Sequence, residues 1–240
     1  MEEGGQDDID LFGASNGLWY PTPEQLQEIF DLALENGLQV YIQNNGDEAT
    51  ELLLDCMARV LRKHPNPANR FTLQYTQLAN AAQFRRMKVL GICVNLFPNH
   101  HYYWGDQHYA KTVGPERAQC MNACATALRE GGPLAIHFDA PVTPLGPLFT
   151  ACCAVNRQTP SGRILGAHER ISAADALRTI TLGAAYTLKL DDDIGSIECG
   201  KRADFAALED DPTETSDADL KDSGIWGVAL CGRISPAAVI

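Results

Sequence analysis

His137 and Asp139 stand at the end of the apolar run 134–138 and are the residues of this sequence best suited to chemistry. Because they are two positions apart on a predicted strand, they should point to the same face. A carboxylate placed there could bind a divalent metal ion or accept a proton from metal-bound water. The alternative is a turn-forming aspartate beside a buried, hydrogen-bonded histidine, and the pair by itself leaves both interpretations open.

A second concentration of polar and aromatic side chains follows the apolar run 92–97. Its members are His100, His101, Tyr102, Tyr103, Trp104, Asp106 and His108. These residues lack the paired spacing on a rigid element that a metal site needs, so a metal cluster is the weaker interpretation. We predict instead a loop that forms an aromatic wall of a substrate pocket.

Two arginines and eight cysteines are further candidates. Arg157 and Arg163 follow the fourth predicted strand and could pair with an anionic substrate group, although loop arginines are commonly exposed. The cysteines include Cys120 and Cys124 at i, i+4 spacing, and most of them lie within apolar patterns. We interpret them as reduced thiols that pack in the core.

Four short apolar runs, separated by amphipathic helical patterns, should position these residues. The predicted strands are 38–42, 71–75, 92–97 and 134–138. The predicted helices include one capped by Thr22 and Gln25 and others over 47–61, 80–90 and 115–129. This alternation predicts an α/β fold in which parallel strands are joined by right-handed helical crossovers, with reactive groups at the carboxyl ends of the strands.

The two ends of the sequence differ from this pattern. Residues 1–20 are rich in Gly, Asp and Glu with no sustained period, which predicts an acidic flexible arm. Residues 191–240 contain Gly- and Asp-rich turns between short alternating pieces at 194–197, 205–208 and 225–230, which predict antiparallel strands. The expected organisation is therefore an arm, an α/β unit over 21–190 and a β appendage.

The charge balance limits the partners. The 240 residues include 31 acidic and 19 basic side chains, a net charge of −12. We expect neither nucleic acid nor membrane as a partner, because both favour clustered Lys and Arg. No run approaches the roughly 18 apolar residues of a membrane helix, and the acidic first ten residues are unlike a secretory signal. The expected location is the cytoplasm.

Five segments resemble, in order and spacing, the carboxyl-terminal half of the amidohydrolase superfamily, most nearly the amidohydrolase-3 (YtcJ-like) group. They are QVYIQNNGDEATELLLD (39–55), RFTLQYTQL (70–78), FPNHHYYWGDQH (97–108), HFDAPVTPLGPL (137–148) and GSIECGKRADFAAL (195–208). The resemblance implies the last four βα units of a (β/α)8 TIM-type barrel, hence a half barrel, followed by part of a small β-sandwich. It also implies a divalent metal cofactor, zinc, and hydrolysis of carbon–nitrogen bonds other than peptide bonds in a small-molecule substrate.

The resemblance also implies roles for individual residues. Asp139 matches the metal ligand and proton acceptor on the family's eighth strand, whereas Gln43 and Tyr75 stand where the family has histidine ligands. Because glutamine and phenol are poor zinc ligands, we expect weak metal binding. The residues expected to line the substrate pocket are His100, His101, Tyr103, Trp104 and His137.

A half barrel has two open sheet edges and an uncovered inner face, so something should cover them. One hypothesis is a truncated hydrolase, weak or inactive alone, that is complemented by a missing amino-terminal half. With most metal ligands replaced, this hypothesis includes a pseudoenzyme. The alternative is a non-catalytic binding or self-associating module, in which two copies form a homodimer. A poorly folded remnant without function is the third outcome.

Overall fold

A four-stranded parallel sheet forms the centre of the protein. The computed structural model describes residues 21–66 and 68–237, so the predicted arm 1–20 lies outside the described residues. The strands, hydrogen-bonded in chain order, are β1 (Tyr41–Asn44), β2 (Thr72–Tyr75), β3 (Cys93–Leu96) and β4 (Leu134–Ile136). The predicted α/β fold with a parallel four-stranded sheet is confirmed.

Helices connect the strands. They are α1 (Pro23–Glu35), α2 (Asp47–Lys63), α3 (Ala81–Val89), α4 (His100–Gln107), α5 (Gly114–Ala118), α6 (Cys124–Glu130), α7 (Pro147–Asn156), α8 (Ala173–Arg178) and α9 (Ala184–Thr187). A π-helical turn extends α4 to Thr112, and another joins α8 to α9. The Thr22 hydroxyl accepts a hydrogen bond from the Gln25 amide, which is the capping box predicted for α1. No helix in the described residues is long and apolar enough to cross a membrane.

The main core lies between the helices and the outer face of the sheet. Leu73 and Val94 from the strands share one buried cluster with Met57, Phe84 and Met87 from α2 and α3. Burying one such side chain stabilises the fold by about 1.5–3 kcal/mol. Because side chains alternate along a strand, the same pattern sends the intervening residues to the opposite, inner face.

The inner face of the sheet is largely polar. Gln43, Gln74 and Asn95 are in-register neighbours on β1, β2 and β3, and we call them the amide row. The side-chain oxygens of Gln74 and Asn95 are buried and have no hydrogen-bond partner within the described chain, whereas Gln43 is exposed. A buried carboxamide without a partner is costly, so this row is suited to hydrogen-bond with water or another polar group.

The segment 184–191 closes the inner face at the amino-terminal ends of the strands. The Tyr41 hydroxyl donates a hydrogen bond to the carbonyl of Thr187. Arg70 pairs with Asp191 and donates to the carbonyl of Tyr186 at 3.1 Å. These contacts leave the opposite end of the inner face, at the carboxyl ends of the strands, as the place for a site.

The carboxyl-terminal region forms a second, antiparallel sheet. Its strands, in order, are β5 (Phe205–Leu208), β6 (Ile225–Leu230) and β7 (Arg233–Pro236). The strands predicted at 205–208 and 225–230 are present, but the piece predicted at 194–197 consists of turns. That piece alternates in sequence, yet Ile194 bonds through its amide to the carbonyl of Leu190 and so remains in a local turn.

Two further predictions about the elements were wrong. Residues 100–107, predicted as a loop, form α4. The predicted helix 115–129 is divided into α5 and α6, because Asn122 has φ 45° and its amide bonds to the Gln77 carbonyl at 2.8 Å instead of continuing a helix. Both differences bring side chains from distant parts of the sequence to the carboxyl ends of the strands.

The first strand also begins later than its apolar run. The run starts at Leu38, but the Leu38 amide bonds to the Ala33 carbonyl at 2.8 Å and completes the end of α1. Gly37, with φ 65°, makes the reversal that this closure requires. The strand therefore starts only at Tyr41.

Candidate active site

Tyr75 and Asp139 meet at the carboxyl ends of β2 and β4. The Tyr75 hydroxyl donates a hydrogen bond to Oδ2 of Asp139. Both residues have left-handed backbone conformations, with φ 65° and 54°, which residues other than glycine adopt at some energetic cost. Two strained turns thus hold a phenol against a carboxylate, and this pair is the centre of the candidate site.

The Tyr75 phenol is a hydrogen-bond donor in this pair. Burial raises its pKa above the ordinary value, and the hydrogen bond to Asp139 raises it further. The phenol therefore stays protonated at neutral pH. A protonated phenol is not the anionic oxygen that a divalent metal ion would prefer.

His137 lies beside this pair on the inner face. Its ring stacks on Phe97 with centroids 5.1 Å apart and meets the Tyr75 ring edge-on at 5.0 Å. Burial lowers the pKa of His137 to about 4, so the imidazole is neutral at pH 7. Its Nε2 atom is buried and has no hydrogen-bond partner in the described chain.

His100 and Trp104 on α4 complete an aromatic wall. The His100 ring lies 4.5 Å from Phe97, 5.7 Å from Tyr75 and 5.7 Å from Trp104, measured between centroids. Burial lowers the pKa of His100 to about 3, so this imidazole is also neutral. The wall therefore offers ring faces and neutral hydrogen-bonding groups to a ligand.

Polar contacts orient the imidazoles of α4 and of the π-helical turn that extends it. Asn122 Nδ2 lies 3.4 Å from His100 Nδ1. The ring of His108 lies between Thr112 Oγ1, 2.7 Å from Nδ1, and Gln77 Nε2, 3.2 Å from Nε2. These residues hold the wall in place without contacting Asp139.

Arg157 anchors the loop that carries Asn122. Its guanidinium is fully buried and donates to three backbone carbonyls, of Leu165 at 2.6 Å, Met121 at 2.7 Å and Asn122 at 2.9 Å. The sequence interpretation of Arg157 as a partner for an anionic substrate is therefore wrong, because the side chain is fully buried and each of its three nitrogens donates to a backbone carbonyl. Burial lowers its pKa to about 10, which keeps it charged at pH 7.

Arg163 is also engaged by the protein. Its guanidinium lies 3.9 Å above the Tyr109 ring, and its Nε is 3.9 Å from Oδ1 of Asp106. Asp106 accepts hydrogen bonds from Ser161 and Thr159, and the Ser161 bond is the main reason that its pKa is lowered. This group ties α4 to the loop after α7 instead of facing the Tyr75–Asp139 pair.

The other predicted site residues lie apart from the pair. His101 is fully buried, and its Nδ1 is 2.8 Å from the carbonyl of Pro98. Tyr103 packs edge-on against Tyr102, with ring centroids 5.3 Å apart, and toward α7. Gln43 is exposed at the sheet edge, in the amide row. The structure thus brings together Tyr75, His100, Trp104, His137 and Asp139.

Sequence reasoning missed Phe97, Asn122 and Gln77. Phe97 could have been found, because it alternates with Asn95 at the end of β3 and so belongs to the inner face. Asn122 lies 22 positions from its partner His100 and Gln77 lies 31 from His108, and no local pattern indicates either contact.

The residues at the site fit a divalent metal ion poorly. Asp139 supplies one carboxylate, which is already hydrogen-bonded to a neutral phenol. Across residues 21–66 and 68–237 there is no group of three or more His, Cys, Asp or Glu side chains arranged to hold a metal ion. A tight zinc site needs three or four such ligands, so this donor set falls short of it.

The sequence profile described as "Amidohydrolase family" matches residues 7–236 of this chain. The chain belongs to the amidohydrolase family. Relatives include Protein LONG AFTER FAR-RED 3 of Arabidopsis thaliana, 34% identical over 80% of this chain and 33% of that protein. The N-substituted formamide deformylase of Arthrobacter pascens is 27% identical over 81% of this chain and 36% of that enzyme.

Solved structures support the same assignment. An uncharacterized metal-dependent hydrolase from Pyrococcus horikoshii OT3 superposes with a TM-score of 0.72 at 26% identity, covering 84% of this chain and 40% of that one. This amidohydrolase chain therefore spans between a third and two fifths of the length of the relatives named here. The described fold of this chain corresponds to about two fifths of the Pyrococcus horikoshii structure.

Proposed function

We propose that this chain forms the substrate-binding side of an amidohydrolase active site that acts on carbon–nitrogen bonds other than peptide bonds in a small molecule. The observation that carries the proposal is the arrangement of Asp139 at the carboxyl end of β4, beside an aromatic wall formed by Phe97, His100 and Trp104. The relative named N-substituted formamide deformylase supports such a substrate class. A polar amide group would face Asp139 while the N-substituent packs on the rings.

The proposal gives the described residues a binding role. In the family, a divalent metal supplies the activated water, and the sequence resemblance implies that this metal is zinc. The described part of this chain provides one carboxylate at that place, so we expect little or no hydrolysis by the chain alone.

An N-substituted formamide with an aromatic substituent should therefore bind without being turned over. We expect saturable binding in isothermal titration calorimetry, unaffected by EDTA, and an affinity about tenfold lower in Trp104→Leu, because one ring contact is lost. Trp226→Leu is the matched control, since Trp226 is 54% exposed on β6. Amine release above that of Asp139→Asn would contradict the binding-only role, and equal affinity in both tryptophan variants would place the ligand elsewhere.

Self-association is a second candidate function, favoured by the edges of the parallel sheet. Within the described residues, β1 and β4 each pair on one side only, and β1 presents the half-exposed Tyr41. Unpaired strand edges favour pairing with another strand, here from a second copy of the chain.

Sedimentation velocity over a tenfold or wider concentration range tests this association. We expect a dimer of twice 26.1 kDa, weakened by Gln43→Pro, because the N–H groups of residues 40, 42 and 44 face β2 and that of Gln43 therefore faces the open edge. Val89→Pro, at the end of α3, is a control that leaves β1 intact. A single monomeric species at every concentration would exclude the homodimer.

A further inference from the structure

At the carboxyl ends of the strands, Tyr75 stands where the family resemblance implies a histidine metal ligand. Its hydroxyl is directed at Oδ2 of Asp139, the atom that a cation at this place would contact. Both residues have left-handed backbone conformations and are partly buried. The position beside the carboxylate is thus filled by part of the protein.

We propose that the Tyr75 hydroxyl permanently takes the place of a divalent cation beside Asp139, and that this phenol, together with the small ligand set, keeps the site free of metal. The phenol donates one proton to the carboxylate and satisfies one of its oxygens, as a charge-assisted hydrogen bond. A metal ion would have to displace that proton and gain an anionic phenolate, or push the ring aside. Tyr75 therefore competes with the metal rather than binding it.

The surrounding groups support this role. The Tyr75 ring is in edge-on contact with Phe97 at 5.5 Å and with His137 at 5.0 Å, so movement of the phenol would disturb two further rings. The His137 and His100 rings both lie next to the Tyr75 ring, the latter at 5.7 Å between centroids. Within the described residues, the phenol of Tyr75 is the side chain that donates to Oδ2 of Asp139.

The same geometry predicts what one substitution would do. An imidazole introduced by Tyr75→His would leave Asp139 without its phenol partner and would lie between Asp139, His137 and His100. One carboxylate and two or three imidazoles are a sufficient ligand set for zinc. The substitution thus removes the competitor and adds a ligand at the same time.

Zinc content and thermal unfolding of the untagged full chain test the proposal. After incubation with zinc and desalting, we expect the wild type to retain no more zinc than Asp139→Asn. Tyr75→His should retain about one additional zinc per chain and melt roughly 5 °C higher with saturating zinc. Adding Asp139→Asn to Tyr75→His should abolish both gains. The exposed thiols Cys120, Cys199 and Cys231 are present in every variant, so the comparison cancels their zinc binding.

A second variant tests the hydrogen bond itself, and it does not depend on the folding of Tyr75→His. Tyr75→Phe keeps the ring and removes the donor. In a double-mutant cycle with Asp139→Asn, measured by urea unfolding without metal, the two effects should be non-additive if the bond exists. Additive effects, or stoichiometric zinc in the wild type at Asp139, would overturn the proposal. Neither readout involves ligand binding or turnover, so both are independent of the proposed function.

Discussion

Replacing Arg157 by methionine is expected to lower the free energy of unfolding by about 3–5 kcal/mol. The guanidinium donates to the carbonyls of Met121, Asn122 and Leu165, and the Asn122 carbonyl also accepts from the Cys124 amide at 2.8 Å. Methionine keeps much of the volume but offers no donor, so each of the three buried carbonyls loses a hydrogen bond. Urea denaturation monitored by circular dichroism measures the change.

Arg163→Met is the matched control. Its side chain is 44% exposed and lies over the Tyr109 ring, so its loss should cost less than about 1 kcal/mol. Because Asn122 contacts His100, Arg157→Met should also weaken ligand binding at the aromatic wall. A stable Arg157→Met variant with unchanged unfolding would show that the three carbonyls find other partners, and would contradict the anchoring role.

Lowering the pH from 6.5 to 4.5 is expected to remove about 4 kcal/mol of stability through His100 and His101. In the unfolded chain a histidine takes up a proton near pH 6.5. Burial lowers the pKa of His100 to about 3 and that of His101 well below its ordinary value. Below pH 6.5 the unfolded state therefore binds more protons than the folded state, and stability present above pH 6.5 is lost as the pH falls.

The slope of stability against pH is the informative quantity. Each buried histidine contributes up to about 1.4 kcal/mol for each pH unit in this window. His101→Gln should reduce the slope by one such contribution, since glutamine does not take up a proton. Phe84→Leu lowers stability in the core but changes no histidine, so its curve should run parallel to that of the wild type. An unchanged slope in His101→Gln would contradict the prediction.

The fold could be predicted where local pattern and packing agree. The runs that became β2, β3 and β4 are short, apolar and separated by helical patterns, which is typical of buried parallel strands. The capping set at Thr22 marked the start of α1 correctly because a capping box is a local interaction. The carboxyl ends of the strands then indicated Asp139, His137 and His100 as neighbours.

The remaining differences arise from contacts between distant residues. The segment that forms α4 has no helical spacing of apolar residues, and its helix packs instead through Gly105. A Cβ there would lie 2.7 Å from Cγ2 of Thr159, so the close approach of the two segments depends on glycine. Arg157 lies 35 positions from Asn122, and nothing near either residue indicates that they meet.

The amide row makes the two faces of the parallel sheet differ: the inner face carries polar groups, and the outer face carries the apolar core. Because Gln74 and Asn95 present carboxamides at the middle of the inner face, water that reaches this part of the face finds groups to hydrogen-bond. Folding can therefore depend on the outer core alone, where Leu73 and Val94 pack against the helices. The inner face is then free to change its neighbours, from solvent to ligand or another chain, without loss of the hydrophobic contacts that hold the strands together.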